Sequence, residues 1–305
     1  MGAFDVCIIG KTVEGLSAAI YCCRSGLKTI VVDNNGFEGG SLEELKLIHR
    51  LKEQAEEKGT HFTITHVHSL WPTHSPKIVY TEGKHIECKC IIIATGVAPH
   101  KLGLPLETHF RGCGLHYHNS CTSSYLKNKV VSVYGANQES LTFAITLSDL
   151  CKQVYFIWPD SISHCSIPII DVLYHSSNIQ VLPHTLINNI RHKNRRFIGV
   201  EIVDKTTENK SLLDCEILYI SCGISPCSKL CFPYISTDEE GFILTNNKRA
   251  TNVPGIFAAG KVCSHYSSSL MKDGFKHTIF MNDNMAATDG TIAAINAIDY
   301  IKNMK

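Results

Sequence analysis

Apolar and polar positions along the chain twice spell an apolar strand, a glycine-marked turn and a helix. Val6 to Ile9 carries no charged or hydroxyl side chain, as expected of a strand covered on both faces. Leu16 to Ser25 follows helical spacing, with Ser17, Ala18 and Ala19 small enough for close packing on a sheet, and Gly26 stands where a helix C-cap prefers glycine. Thr29 to Val32 predicts a second strand ending at Asp33, and Leu42 to Lys58 a charged amphipathic helix. Residues 61 to 90 alternate as strands do, and Cys90 to Ala94 is an apolar strand closing on Thr95-Gly96. The pattern restarts at Val130 to Tyr134, turns at Gly135, continues as a helix from about Glu139 to Cys151, and returns to a strand at Val154 to Ile157. Gly255 to Gly260 brings in a last strand and turn, followed by a helix through Gly290 to Ile301. The expected fold class is α/β, with one unit set inside another.

Composition changes this picture little. A chain of 305 residues with 44% hydrophobic side chains has enough apolar surface for two cores. Lys+Arg 29 against Asp+Glu 28 leaves a formal net charge of +1, so no global field draws the chain to nucleic acid or membrane. No apolar run approaches the ~20 residues that span a bilayer. A core strand beginning near Phe4 leaves no room for a leader, and a cytoplasmic protein is expected. The 14 cysteines are then expected to be reduced and buried as small apolar residues. None forms a C-x-x-C pair; Cys88-Lys89-Cys90 leads into a buried strand and reads as packing.

The chemistry should lie in the turns, and there the motifs are incomplete. Gly10-Lys11-Thr12-Val13-Glu14-Gly15 stands where a dinucleotide-binding turn has G-x-G-x-x-G. The first and third glycines are present. The middle one, which lets the backbone approach a pyrophosphate, is Thr12. Gly135-Ala136-Asn137-Gln138-Glu139-Ser140 also lacks the middle glycine and puts a carboxylate at the helix entrance, where an anion would be repelled.

The chain resembles the low-molecular-weight thioredoxin reductases across nearly its whole length. The resemblance is carried in order by DVCIIG, GLSAAIYCCRSGLKTIVVD, GGSL at 39–42, IIIATGVAP at 91–99, FRGCGLHYHNSC at 110–121, VVSVYGAN at 130–137, CGISP at 222–226, TNVPGIFAAGKV at 251–262 and GTIAAINAIDYI at 290–301. It implies two Rossmann-like three-layer domains, an FAD-binding-like one (1–110 plus 240–305) and an NAD(P)-binding-like one (111–239) inserted in it. A homodimer is implied as well.

The functional positions depart from that family. Its C-x-x-C dithiol reads His118-Asn119-Ser120-Cys121 here, and Thr122 replaces the following acid. A dithiol cycle needs an attacking and a resolving sulfur, so Cys121 retains at most single-thiol chemistry; the alternative is a leftover buried thiol. The arginines that would hold the 2′-phosphate of NADPH are missing from Trp158 to His164, which speaks against NADPH. For FAD the resemblance points to Gly10, Gly15, Asp33, Gly39, Gly40, Ala94, Thr95, Gly96 and Lys261. Against FAD stand Thr12 and Glu14, Lys261 in place of an acid, Met281-Asn282-Asp283 in place of R-Q-A, and a shortened loop after Leu42. Retained glycines also serve turns without any ligand, so FAD stays open.

Arg191, Lys193, Arg195 and Arg196 form a basic cluster at an expected hairpin tip, either a solvated turn or a contact for RNA or an acidic partner. His116 and His118 share one strand face without a third ligand, and no metal is expected. The expected function is that of a pseudoenzyme retained as a macromolecule-binding scaffold. The alternative is an FAD-dependent oxidoreductase with a donor other than NADPH or with single-cysteine chemistry.

Overall fold

The computed structural model describes residues 3–34, 42–117, 123–159, 167–264, 270–272, 275–277 and 283–304. In chain order the first unit holds β1 (Phe4–Ile9), α1 (Val13–Arg24), β2 (Thr29–Asp33), α2 (Leu42–Glu57), β3 (His61–Ile64), β4 (Val67–Trp71), β5 (Lys77–Thr81) and β6 (Lys84–Ile93). β1 pairs in parallel with β2 (Val6↔Thr29 to Ile9↔Val32) and with β6 (Phe4↔Cys88 to Ile9↔Ile93). The order β3-β2-β1-β6 continues into antiparallel β5 and β4.

Both faces of this sheet are covered, which is why its central strands are apolar without alternation. Cys7, Ile9, Ile30, Val32, Ile91 and Ile93 enter one core, and Val6, Ile8, Val31, Cys90 and Ile92 the other. Cys88 and Cys90 enter opposite cores, as packing residues do.

The chain then passes through β7 (Val97–Pro99), α3 (Glu107–Phe110), β8 (Leu115–Tyr117), α4 (Ser123–Leu126), β9 (Val130–Gly135), α5 (Gln138–Ser148), β10 (Gln153–Trp158), α6 (Ile167–His175), β11 (Ile179–Pro183), β12 (Thr185–Lys193), β13 (Arg196–Asp204), β14 (Lys210–Asp214), β15 (Ile217–Ser221) and β16 (Ile224–Pro226). The second unit has a parallel sheet ordered β11-β10-β9-β15-β8 and an antiparallel sheet β12-β13-β14. The first unit resumes with β17 (Ile256–Ala258), which pairs in parallel with β6 (Ile256↔Ile91 to Ala258↔Ile93), and ends in α7 (Asp283–Asn303).

The chain divides into two compact units whose joins differ from those of the motif reading. Apart from residues 39–42, one unit runs to Ala98 and resumes at Ser225, and the other spans Pro99–Ile224; the motif reading places them at 110/111 and 239/240. The first join is earlier because Glu107 organises the segment after Pro99. Its buried carboxylate accepts the Leu102 and Leu104 amides at 2.9 and 3.0 Å and the Tyr117 hydroxyl at 2.5 Å. The C-terminal helix begins at Asp283, ahead of the expected Gly290. No helix among the described residues is long and apolar enough to cross a membrane.

Candidate functional site

The turn from β1 into α1 is tied together by its own side chains. The helix starts at Val13, three residues before the expected start, because Thr12 caps it. Its hydroxyl accepts the Gly15 amide at 3.2 Å and donates to the Ala94 carbonyl at 3.1 Å. Threonine at an N-cap is worth ~1 kcal/mol over alanine, so the residue that breaks the glycine motif performs a structural task.

Two further amides of the turn are also engaged. The Gly10 N–H bonds the Val32 carbonyl at 2.9 Å, and the Lys11 N–H bonds Asp33 Oδ1 at 3.3 Å. Lys11 Nζ lies 3.7 Å from Asp33 Oδ2. The acid that the resemblance assigns to a ribose is therefore paired with the turn itself.

Glu14 supplies the last element. It is 5% exposed. Burial pushes its carboxyl up to about 7, against the opposing pull of its own N–H, the Lys261 charge and the Thr12 hydroxyl. These groups take up the Glu14 and Gly15 amides, two of the donors in the first turn of α1 on which a pyrophosphate would sit. The described residues do not fit that part of FAD.

The two retained glycines have steric reasons of their own. Gly10 has φ +113, and a Cβ on it would stand 2.0 Å from the Ala94 carbonyl oxygen. A Cβ on Gly15 would stand 2.2 Å from the Gly10 carbonyl oxygen. The Ala94-Thr95-Gly96 run is likewise occupied: Ala94 N–H donates to Ile9 O at 2.8 Å, Thr95 Oγ1 to Cys227 O at 2.8 Å, and Cys227 N–H to Gly96 O at 3.0 Å. The structure therefore brings Gly10, Gly15, Asp33, Ala94, Thr95, Gly96 and Lys261 into the first unit with internal duties for each except Lys261, whose charge faces Glu14. Gly39, Gly40, His118 and Cys121 lie outside the described residues, as do Asp160 to His164 and Met281-Asn282.

The turn from β9 into α5 repeats the theme. Asn137 caps the helix in a capping box: its side chain accepts the Ser140 amide at 2.8 Å, and Ser140 Oγ accepts the Asn137 amide at 3.2 Å. Glu139 is half-buried beside it, its carboxyl raised by burial. A second anion would meet a charge already short of solvent.

The basic cluster does sit on a hairpin. β12 and β13 pair antiparallel, with Lys193 directly opposite Arg196. Asn194 (φ +51) and Arg195 (φ +61) turn the chain in the left-handed region that the favoured two-residue hairpin requires. Arg191 is bound to Asp214, whereas Lys193, Arg195 and Arg196 are exposed. Lys193, Asn194, Arg196 and Ile198 line an open hollow in the surface there.

Eight of the described cysteines are chemically quiet, while Cys113 is exposed and Cys23, Cys222 and Cys227 are part-buried. Cys7, Cys22, Cys88, Cys90, Cys151, Cys215, Cys231 and Cys263 are buried, and burial raises the thiols of Cys22, Cys215 and Cys231 to about 12. A thiol held there gives almost no thiolate. His116, half-buried and depressed by burial, belongs to no group of three or more metal-ligating side chains among the described residues.

The sequence reading missed three features: the caps made by Thr12 and Asn137, the destination of Glu14, and a buried Asp289–Arg249 pair. The first had a signal, a threonine or an asparagine just before a helix. The other two pair side chains from distant segments and had none.

The Pyridine nucleotide-disulphide oxidoreductase family profile matches residues 4–287. A thioredoxin reductase from Treponema pallidum is 27% identical over 317 residues, covering 99% of this chain and 98% of that one. One from Helicobacter pylori is 27% identical over 325 residues, covering 98% and 99%. The crystal structure of the thioredoxin reductase from Streptococcus pyogenes has a TM-score of 0.76 at 23% identity and covers 99% of both chains.

Proposed function

Given that this chain belongs to the pyridine nucleotide-disulphide oxidoreductase family and is thioredoxin reductase-like, we propose that it is a redox-silent member kept as a scaffold for binding another macromolecule. One observation carries the reading: side chains of the turns themselves (Thr12, Asp33 and Glu14; Asn137 and Ser140) take up the Lys11, Glu14 and Gly15 amides of one turn and the Asn137 and Ser140 amides of the other, where dinucleotides would bind. On this reading neither FAD nor NADPH is held, and His118 in place of a cysteine removes the dithiol relay. Freshly purified protein is then colourless and does not oxidise NADPH. Stoichiometric flavin bands in its visible spectrum would refute the reading.

Those bands would support a second reading, an FAD-dependent oxidoreductase with another electron donor or with Cys121 chemistry. It is favoured by the retained frame of Gly10, Asp33 and Ala94-Thr95-Gly96 and by the positive charge that Lys11 and Lys261 bring to the first unit.

The scaffold reading places the partner contact at the β12–β13 tip. What supports it is the juxtaposition of Lys193 and Arg196 across the ladder, since like charges directly opposite destabilise a hairpin, together with an arginine in the left-handed region, which is uncommon for side chains other than asparagine, aspartate and glycine. An anionic partner, RNA phosphate or an acidic polypeptide, would offset both. Binding to single-stranded RNA or to polyglutamate should weaken steeply with salt, and for RNA the slope should fall by about one to two on Arg195→Glu/Arg196→Glu substitution. Absence of binding to either probe, or binding indifferent to the charge reversal, contradicts this placement.

A further inference from the structure

We propose that Glu14 is a built-in plug: its carboxyl group takes the place at the amino end of α1 that a dinucleotide's pyrophosphate would take, with Lys261 beside it. The inference rests on the reading of the turn as closed, and it names what closes it.

Position is the first argument. Glu14 is the second residue of α1, in the first turn, where free N–H groups and the helix dipole attract negative charge. A glutamate there ordinarily extends into water. This one is buried and takes a hydrogen bond from its own N–H, so it sits within the field of the helix end.

The surroundings are shaped to admit it. A Cβ on Gly260 would stand 2.0 Å from Glu14 Oε1, and a Cβ on Gly290 would stand 1.9 Å from the Glu14 carbonyl oxygen. Two glycines from separate segments thus make room for this one residue, Gly260 for its carboxyl group and Gly290 for its backbone. Lys261 follows Gly260 directly and bears on the carboxyl through its charge. The neighbouring Asp289 accepts the Gly260 amide at 2.6 Å and is paired with Arg249. The charged groups gathered around the Glu14 carboxyl are therefore Asp289, Lys261 and Arg249. A pyrophosphate would have to displace the carboxyl group.

Deletion of the carboxyl group should then open an anion site. The test uses the full chain and inorganic pyrophosphate as probe, by isothermal titration calorimetry near neutral pH. Glu14→Ala should bind pyrophosphate at least about tenfold more tightly than the wild type. Glu14→Gln, which keeps the bulk, should gain nothing, and Glu14→Ala/Lys261→Ala should lose the gain. A folded Glu14→Ala protein with no gain overturns the role of Glu14 while leaving the scaffold reading intact. A wild type that binds FAD stoichiometrically overturns both.

If Glu14→Ala does not fold, the pH profile of Glu14→Gln decides. The folded-state value of Glu14 is raised to about 7 from an ordinary 4.5, so its protonated form favours the fold. That stability is fully present below the unfolded value and is lost as pH rises through about 7. The charged groups acting on it are Lys261, Asp289 and, through Asp289, Arg249; Cys263 is the nearby thiol. Between pH 5 and pH 8 the wild type should lose thermal stability relative to Glu14→Gln, and parallel profiles overturn the proposal.

Discussion

Alanine at position 290 is expected to lower the unfolding midpoint by about 10 °C, although the same change in an ordinary exposed helix interior stabilises by ~1 kcal/mol. The Gly290 Cβ would meet the Glu14 carbonyl oxygen at 1.9 Å, its carbonyl carbon at 2.7 Å and its Cα at 2.8 Å. These are backbone atoms of α1, so no rotamer change relieves the clash and the two helices must separate. Behind that contact lie Ala18 and Ala19 of α1 and Ala293, Ala294 and Ala297 of α7 in one core. Alanines pack only at short range, and a small separation loses many contacts at once. Overpacking alone costs roughly 1–3 kcal/mol, and disturbing the buried Glu14 adds to it. Circular dichroism on heating measures the effect, and a midpoint within about 2 °C of wild type would show that the helices do not meet at Gly290.

The second large effect is expected from Asp289→Ala. The Asp289 side chain is fully buried and takes hydrogen bonds from Gly260 N–H at 2.6 Å and from Arg249 Nε. Its removal leaves a guanidinium 17% exposed without that partner and an amide without an acceptor. Breaking a buried pair from one side costs about 3–5 kcal/mol, chiefly because the surviving charge stays out of water. Removing both partners in Asp289→Ala/Arg249→Leu should recover part of that loss, since no buried charge is then stranded. Chemical denaturation of the wild type, the two single variants and the double variant measures the coupling. A cycle that sums to zero would refute the pair. Gly290, Asp289 and Glu14 are neighbours, so their effects are not expected to add.

The sequence by itself determined the central parallel strands. Val6 to Ile9 and Cys90 to Ala94 are apolar at every position, and in a folded chain only a sheet covered on both faces hides such runs. The glycines at 10, 15, 135 and 260 marked the turns, because close backbone approach is written locally. Thr12 and Asn137 were legible as departures from a phosphate-binding pattern, though their use as helix caps was not read. The hairpin tip at 194–195 was legible too, from a polar and basic run between two alternating segments.

What only the tertiary structure decided is where the charged side chains of the interior go. Glu14 as the second residue of a helix is equally consistent with a solvated acid or a buried one. Its destination depends on Gly260, Lys261 and Gly290, which the strand order brings beside it from the far end of the chain. Asp289 and Arg249 are likewise joined only by the return of β17 to β6. The domain joins were misplaced for the same reason: Glu107 fastens the segment after Pro99 through hydrogen bonds to Leu102, Leu104 and Tyr117 that no periodicity announces. Hydrophobic pattern is a local property of the chain, whereas the partner of a buried charge is a property of the packed molecule.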